Sequence, residues 1–325
     1  MEVAPPGDCH MSTALAVVAL GAGVVLIVGG AELFAEHLEG ASRRLGVSAF
    51  AVSLLLAGAE PEELATTVAA SLRKVPAVAF GDVVGANIAM CLVALPVGAL
   101  VAPLPFGRKV RRYSLLALPL GVVAVVAAWN GDVSRPVGAL LVGLYVAYVA
   151  AIWFVERRPP TLGEVAELGE PDEARPRRFG RELALVLVGV AALAVGSIMV
   201  VESVRSISEV ESTQTGVSLT LVGLATTLEL VVLAWSAARR GVTEAVVAAV
   251  VGSFAYNATM SLGAAALARP LVIADAGLLH GPLVLMLLAL AAVIALAAPS
   301  GRLGRGSACA LLAGYPIFVA YVALR

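Results

Sequence analysis

Glu63 and Glu229 are carboxylates set inside apolar runs long enough to cross a lipid bilayer. A charge at that depth is costly, and it is kept where it faces a partner or a wet cavity. The same markers surround both. Gly46-Val47-Ser48 precedes Glu63-Leu64, and Gly85-Ala86-Asn87 follows. Half a chain later, Gly216-Val217-Ser218 precedes Glu229-Leu230, and Gly252-Ser253 with Asn257 follows. Two acids, one from each copy of a repeat, read as a cation site at a repeat interface.

The neighbours of each acid supply further oxygen. Gly58-Ala59-Glu60-Pro61-Glu62-Glu63 lies well inside its run. Pro61 removes an N–H and clashes with the preceding turn, so a break or kink is expected there. A break frees backbone carbonyls, which suit hard cations, and exposes a half-helix N-terminus, which favours Glu62 and Glu63 as anions. Three glutamates in four positions cannot all be charged and dry. Glu63 is assigned as the ligand by its match to Glu229, while Glu60 and Glu62 line the access path or hold protons. In the second copy, Thr226 and Thr227 place hydroxyls beside Glu229, either as neutral ligands or bonded back to their own helix. Asp82 and Asn87 follow the first acid, and Ser253 and Asn257 the second. Each amide is read as a ligand or as an interhelical hydrogen bond.

These residues need membrane helices to hold them. Apolar residues make up 60% of the chain and charged residues 14%, against roughly a quarter charged in soluble domains. Breaks in the apolar pattern give ten spans, at 12–36, 47–72, 76–103, 113–129, 136–155, 182–204, 216–238, 243–267, 278–298 and 306–323. The fold class is thus an all-α polytopic membrane protein of two inverted five-helix repeats, with helices 2 and 7 broken. Residues 1–155 form the first repeat and 182–325 the second. Residues 156–181, rich in charge and proline, form a hydrophilic linker. Basic residues concentrate in alternate connections: Arg43 and Arg44, then Arg108 to Arg112, the linker, Arg239 and Arg240, then Arg302 and Arg305. By the positive-inside rule that set is cytoplasmic and both termini lie outside. Five helices per half then force the second half to insert upside down. Cys9, Cys91 and Cys309 show no paired spacing, and the three histidines are scattered, so neither a disulfide framework nor a zinc site is expected. No cleavable leader is expected, because residues before Met11 hold no basic segment. A net charge of −1 gives no argument for nucleic acid.

On these motifs the chain resembles the calcium/cation antiporter superfamily, the relatives of sodium/calcium exchangers. Its members carry two inverted repeats, each with Gly-Val-Ser, Gly-Thr-Ser-x-Pro-Glu-Leu and Gly-Asn-x-x-Gly-Ser-Asn-x-x-Asn. The resemblance implies that Glu63 and Glu229 bind calcium at the centre, with hydroxyls, amides and carbonyls holding sodium. The ligands diverge. Ala59-Glu60 replaces Thr-Ser and Pro61 sits one place early; Leu224-Ala225-Thr226 replaces Gly-Thr-Ser, and Leu228 replaces proline. Asp82 stands for Asn, Ala86 for Ser, Met90 for the last Asn of the first copy, and Phe254 for the middle Asn of the second. More carboxylate and less neutral oxygen shifts the balance from sodium toward proton or divalent coupling.

The metal-site set is therefore Glu63, Glu229, Asn87, Asn257, Thr226, Ser253, Glu60 and Asp82. The expected function is a secondary antiporter of the plasma (inner) membrane. It exchanges calcium or a similar divalent cation for sodium or protons, with no cofactor and with inorganic cations and the bilayer as partners. The alternative is a degenerate ion-binding membrane protein acting as a sensor. A membrane metallopeptidase would need a motif such as His-Glu-x-x-His, and the chain has none.

Overall fold

A computed structural model describes residues 12–44, 60–156, 179–241 and 243–324. The expected break at Gly58, the Gly46-Val47-Ser48 marker, the N-terminal tail and almost all of the linker lie outside the described residues. Apolar runs become helices α1 (Thr13–Arg44), α2 (Pro61–Leu72), α3 (Pro76–Val101), α4 (Arg108–Ala128) and α5 (Arg135–Glu156). The second half holds α6 (Phe179–Ile207), α7 (Glu211–Arg239), α8 (Val246–Ala268), α9 (Gly277–Ala297) and α10 (Arg305–Ala323). Among the described residues all but α2 are long and apolar enough to cross a membrane. The chain is a multi-pass membrane protein.

Three helix ends differ by five residues or more from the sequence expectation, for one reason. α1 runs on to Arg44 rather than stopping at 36, α4 starts at Arg108 rather than 113, and α7 starts at Glu211 rather than 216. Charged residues mark where a segment leaves lipid, but a helix continues into water beyond that point. The all-α expectation also omits two short antiparallel pairs. β1 (Leu104–Pro105) pairs with β4 (Arg302–Leu303), and β2 (Asp132–Val133) with β3 (Leu271–Val272). Each pair staples a connection of the first half to one of the second. Gly131 and Gly301, at φ of 69° and 65°, make the left-handed turns that lead into β2 and β4.

Packing exchanges partners between halves. α1 lies along α6, and two glycine pairs set the approach: Gly23 against Gly196, and Gly30 against Gly189. Position rises on one helix as it falls on the other, so the two run antiparallel. A methyl built at Gly23 would sit 2.9 Å from the Gly196 carbonyl oxygen, which is why small residues stand there. α3 packs on α7, α9 and α10, while α8 packs on α2, α4 and α5. Swapping the halves leaves those pairings unchanged. α3 and α8 are consequently the central, most buried helices, and they carry Asp82, Asn87, Ser253 and Asn257.

Candidate functional site

α2 begins where proline dictates. Pro61 occupies the first turn, where its missing N–H costs nothing, and Glu60 just before it is non-helical at φ −109°, ψ 85°. Glu62 and Glu63 fall in the first turn, where the helix dipole favours anions. α7 is irregular at the matching place. A π-helical turn spans Ser218–Val222, the helix is interrupted at Thr227, and Glu229 lies in the first turn of the segment Leu228–Arg239. At 1.5 Å per residue, Glu63 is about 14 Å from the end of α2, and Glu229 about 15 Å from the end of α7. Each distance is about half a hydrocarbon thickness.

Close backbones bring α3 to α7. A Cβ at Gly85 would collide with the Leu219 main chain, and one at Gly223 would sit 2.5 Å from the Ala86 nitrogen. That contact aligns Asp82 with Thr226, whose hydroxyl lies 3.3 Å from Asp82 Oδ1. The same hydroxyl is within reach of the Val222 and Gly223 carbonyls, at 3.2 and 3.3 Å. Thr226 thus serves both readings: bonded back to its helix, it also faces the acid. A hydroxyl donates one proton and keeps lone pairs for a cation.

Two carboxyl pairs emerge. Glu63 is fully buried beside Asp82, with Thr226 and Asn257 as neighbours and no hydrogen bond of ordinary geometry to either of its oxygens. Asp82 Oδ2, Asn87 Oδ1 and Asn257 Nδ2 likewise lack hydrogen-bond partners. The Asn87 amide nitrogen lies 3.4 Å from the Phe254 carbonyl oxygen, and Asn257 Oδ1 accepts from Ser261 at 3.3 Å. The second pair is Glu60 with Glu62. Glu60 accepts a hydrogen bond from Ser253, and Glu62 is fully buried within electrostatic range of Glu60 and Glu229. Glu229 itself is half-buried.

Seven of the eight sequence-nominated residues thus divide between the two pairs, and Asn87 is buried on α3 against Phe254 and Met286. Among the described residues no three His, Cys, Asp or Glu side chains converge as a metal cluster. Any bound cation must draw on hydroxyl, amide and carbonyl oxygens as well. Every described lysine and arginine side chain is exposed, so none neutralises the buried acids.

The sequence marked Glu62 as lining the access path or holding protons, and it gave no role to Tyr145 and Tyr256. Tyr256 lies within electrostatic range of Glu60, Glu62 and Glu63, and its ring meets Tyr145 edge-on at 5.2 Å. A phenol inside an apolar run was the available signal, since a buried tyrosine hydroxyl seeks polar company. Just past Phe254, α8 passes through a π-helical turn, Tyr256–Ser261, which holds one more residue per hydrogen-bonded ring than an α-turn and carries Asn257.

Comparison with known proteins follows the fold. The family model described as sodium/calcium exchanger protein matches residues 15–154 and 182–324. The chain is similar to inner membrane protein YrbG of Escherichia coli K12, 26% identical over 95% of this chain and 96% of that protein. It is similar to the sodium/calcium exchanger MaX1 of Methanosarcina acetivorans, 26% identical over 79% of this chain and 84% of that one. Among solved structures, the sodium-calcium exchanger NCX_Mj soaked with 2.5 mM Na+ and 10 mM Sr2+ superposes at a TM-score of 0.61. That match has 23% identity and covers 95% of this chain and 99% of that one, a likeness of fold.

Proposed function

The chain belongs to the sodium/calcium exchanger protein family, and from that premise we propose that it exchanges calcium, or a similar divalent cation, for sodium or protons by alternating access. One observation carries the reading. Buried carboxyls of Glu63, Asp82 and Glu62 lie among hydroxyls and amides, and among the described residues no lysine or arginine side chain is buried with them. An empty, fully ionised set is too costly to move through a low-dielectric barrier. The site crosses only when loaded, by a divalent ion or by monovalent cations or protons, and that requirement makes the transport an exchange. Glu63 and Asp82 supply anionic oxygen to the cation, and Thr226, Asn87 and Asn257 supply neutral oxygen. Ser253 holds Glu60 beside Glu62, and Glu229 completes the charge from the second half.

Inverted repeats supply the alternation. The antiparallel run of α1 on α6, and contacts that survive exchange of the halves, support residues 1–155 and 182–325 as oppositely inserted copies. On this reading the linker at 156–181 is cytoplasmic, both termini are outside and the membrane is the plasma (inner) membrane. The protein is a transporter and not an enzyme.

Two variants test the ligand set. Thr226→Val should weaken apparent cation affinity roughly tenfold, equivalent to about 1.4 kcal/mol, with little change in maximal rate; an unchanged KM would remove Thr226 from the site. Glu229→Gln should leave expression intact and abolish counter-ion-driven uptake; normal flux would refute its role. That no compact three-acid cluster forms among the described residues favours a second reading, a cation binder that does not transport. Calcium binding without counter-ion-dependent flux in liposomes would select it.

A further inference from the structure

An apolar groove of about 770 Å³ runs along α9 and α10, away from the carboxyl site. Val284, Leu288 and Leu296 of α9 and Ile317 of α10 line it and are exposed. Small residues make its floor; Gly314 opens it over Leu92 of α3. One end is polar and aromatic, where the Trp129 and His280 rings stack at 4.3 Å. From His280 to Leu296 the helix rises about 24 Å, most of a hydrocarbon thickness.

The other end points toward a basic cluster. Pairing of β1 with β4 places Arg302 opposite Pro105, so the N-terminal turns of α4 and α10 come together at one membrane face. Arg108, Arg111, Arg112, Arg302 and Arg305 are all exposed there. No Asp or Glu occurs between Asp82 and Asp132, and none after Asp275. Arg305 spends one donor on the Leu100 carbonyl, at 3.0 Å, out of the five a guanidinium carries. Arg305 lies five residues before Ala310, a groove residue, or about 8 Å along the helix. An apolar channel open to lipid, ended by a cluster of exposed arginines, matches a molecule with a hydrocarbon chain and an anionic head.

We propose that this face is a binding site for an anionic membrane phospholipid. One acyl chain lies in the α9–α10 groove, and the phosphate sits on Arg302 and Arg305. The α4 arginines extend the positive field. The site is independent of the exchange reading, because it touches none of the buried acids.

The test uses the full chain purified in detergent, with phosphatidylglycerol, phosphatidylcholine or glycerol phosphate added, and reads retained lipid by native mass spectrometry and melting temperature. Phosphatidylglycerol should be retained and raise the melting temperature by about 5 °C, while phosphatidylcholine should not. Arg302→Gln with Arg305→Gln should lower retention roughly tenfold. Gly314→Leu, which fills the groove at ordinary contact distance from Leu92, should lower it without touching the charges. Equal stabilisation by phosphatidylcholine, or undiminished retention in the arginine double variant, would overturn the proposal. An equal effect of glycerol phosphate would reduce the site to a bare anion patch and overturn the acyl assignment. Disulfide cross-linking between copies through the exposed Cys309, at full yield in the presence of phosphatidylglycerol, would assign the face to a second copy instead.

Discussion

Glu63→Gln is expected to reduce cation exchange by at least about 100-fold while the protein still folds, because ligand charge sets the affinity of a hard-cation site. The amide keeps the shape of the side chain and removes its charge. Glu63 has no hydrogen bond of ordinary geometry to either carboxyl oxygen, so little holds the fold together through it. A buried carboxyl with no hydrogen bonding is a burden on stability, and its neutral replacement should melt at the same temperature or higher. The two readouts must therefore separate: flux lost, melting temperature kept. Loss of both would mark Glu63 as structural, and retention of both would move the ligand role to Glu62 or Asp82. Asp82→Asn makes a natural companion, since it leaves Thr226 a hydrogen-bonding partner while removing the second charge.

Gly85→Val should have the largest effect on stability. A Cβ there would strike the carbonyl oxygen and carbon of Leu219, which belong to the π-helical turn of α7. Backbone cannot swing aside as a flexible side chain can. The expected cost is roughly 3 kcal/mol or more, the upper end for overpacking a tight core. Because this contact aligns Asp82 with Thr226, residual folded protein should also transport poorly. Gly143→Val is the control: nothing lies within 4 Å of a Cβ built there, and the residue is exposed. Thermal melting in detergent should show a large drop for the first variant and almost none for the second. Equal melting temperatures would mean that α3 and α7 approach less closely than described.

Those two sites show what the residues disclose before any coordinates. Glu63 and Glu229 were legible because a carboxylate inside an apolar run is expensive, and because the same Gly, Ser and Asn markers surround both. Span positions were legible because hydrophobic length is set by the bilayer. Helix ends were less so, since the charges of α1 and the arginines of α4 mark the water boundary and not the end of hydrogen bonding. Gly85 stood out as part of a repeated marker but could not name Leu219 as its partner, because a missing side chain carries no address. The π-helical turns of the described residues left no trace in the spacing of the motifs. Division of the acids into Glu63 with Asp82 and Glu60 with Glu62 was not legible either. It depends on Ser253 reaching Glu60 and on Thr226 reaching Asp82, contacts between helices far apart in the chain.

The account stands or falls on whether buried carboxyls carry a cation in exchange for another. The most direct measurement is radiolabelled calcium uptake into proteoliposomes holding the purified chain, under an imposed sodium gradient and then an imposed proton gradient. Uptake that requires one of those gradients, and that disappears in both Glu63→Gln and Glu229→Gln, is the predicted result. Calcium entry indifferent to either gradient, or undiminished in the two glutamine variants, would contradict it.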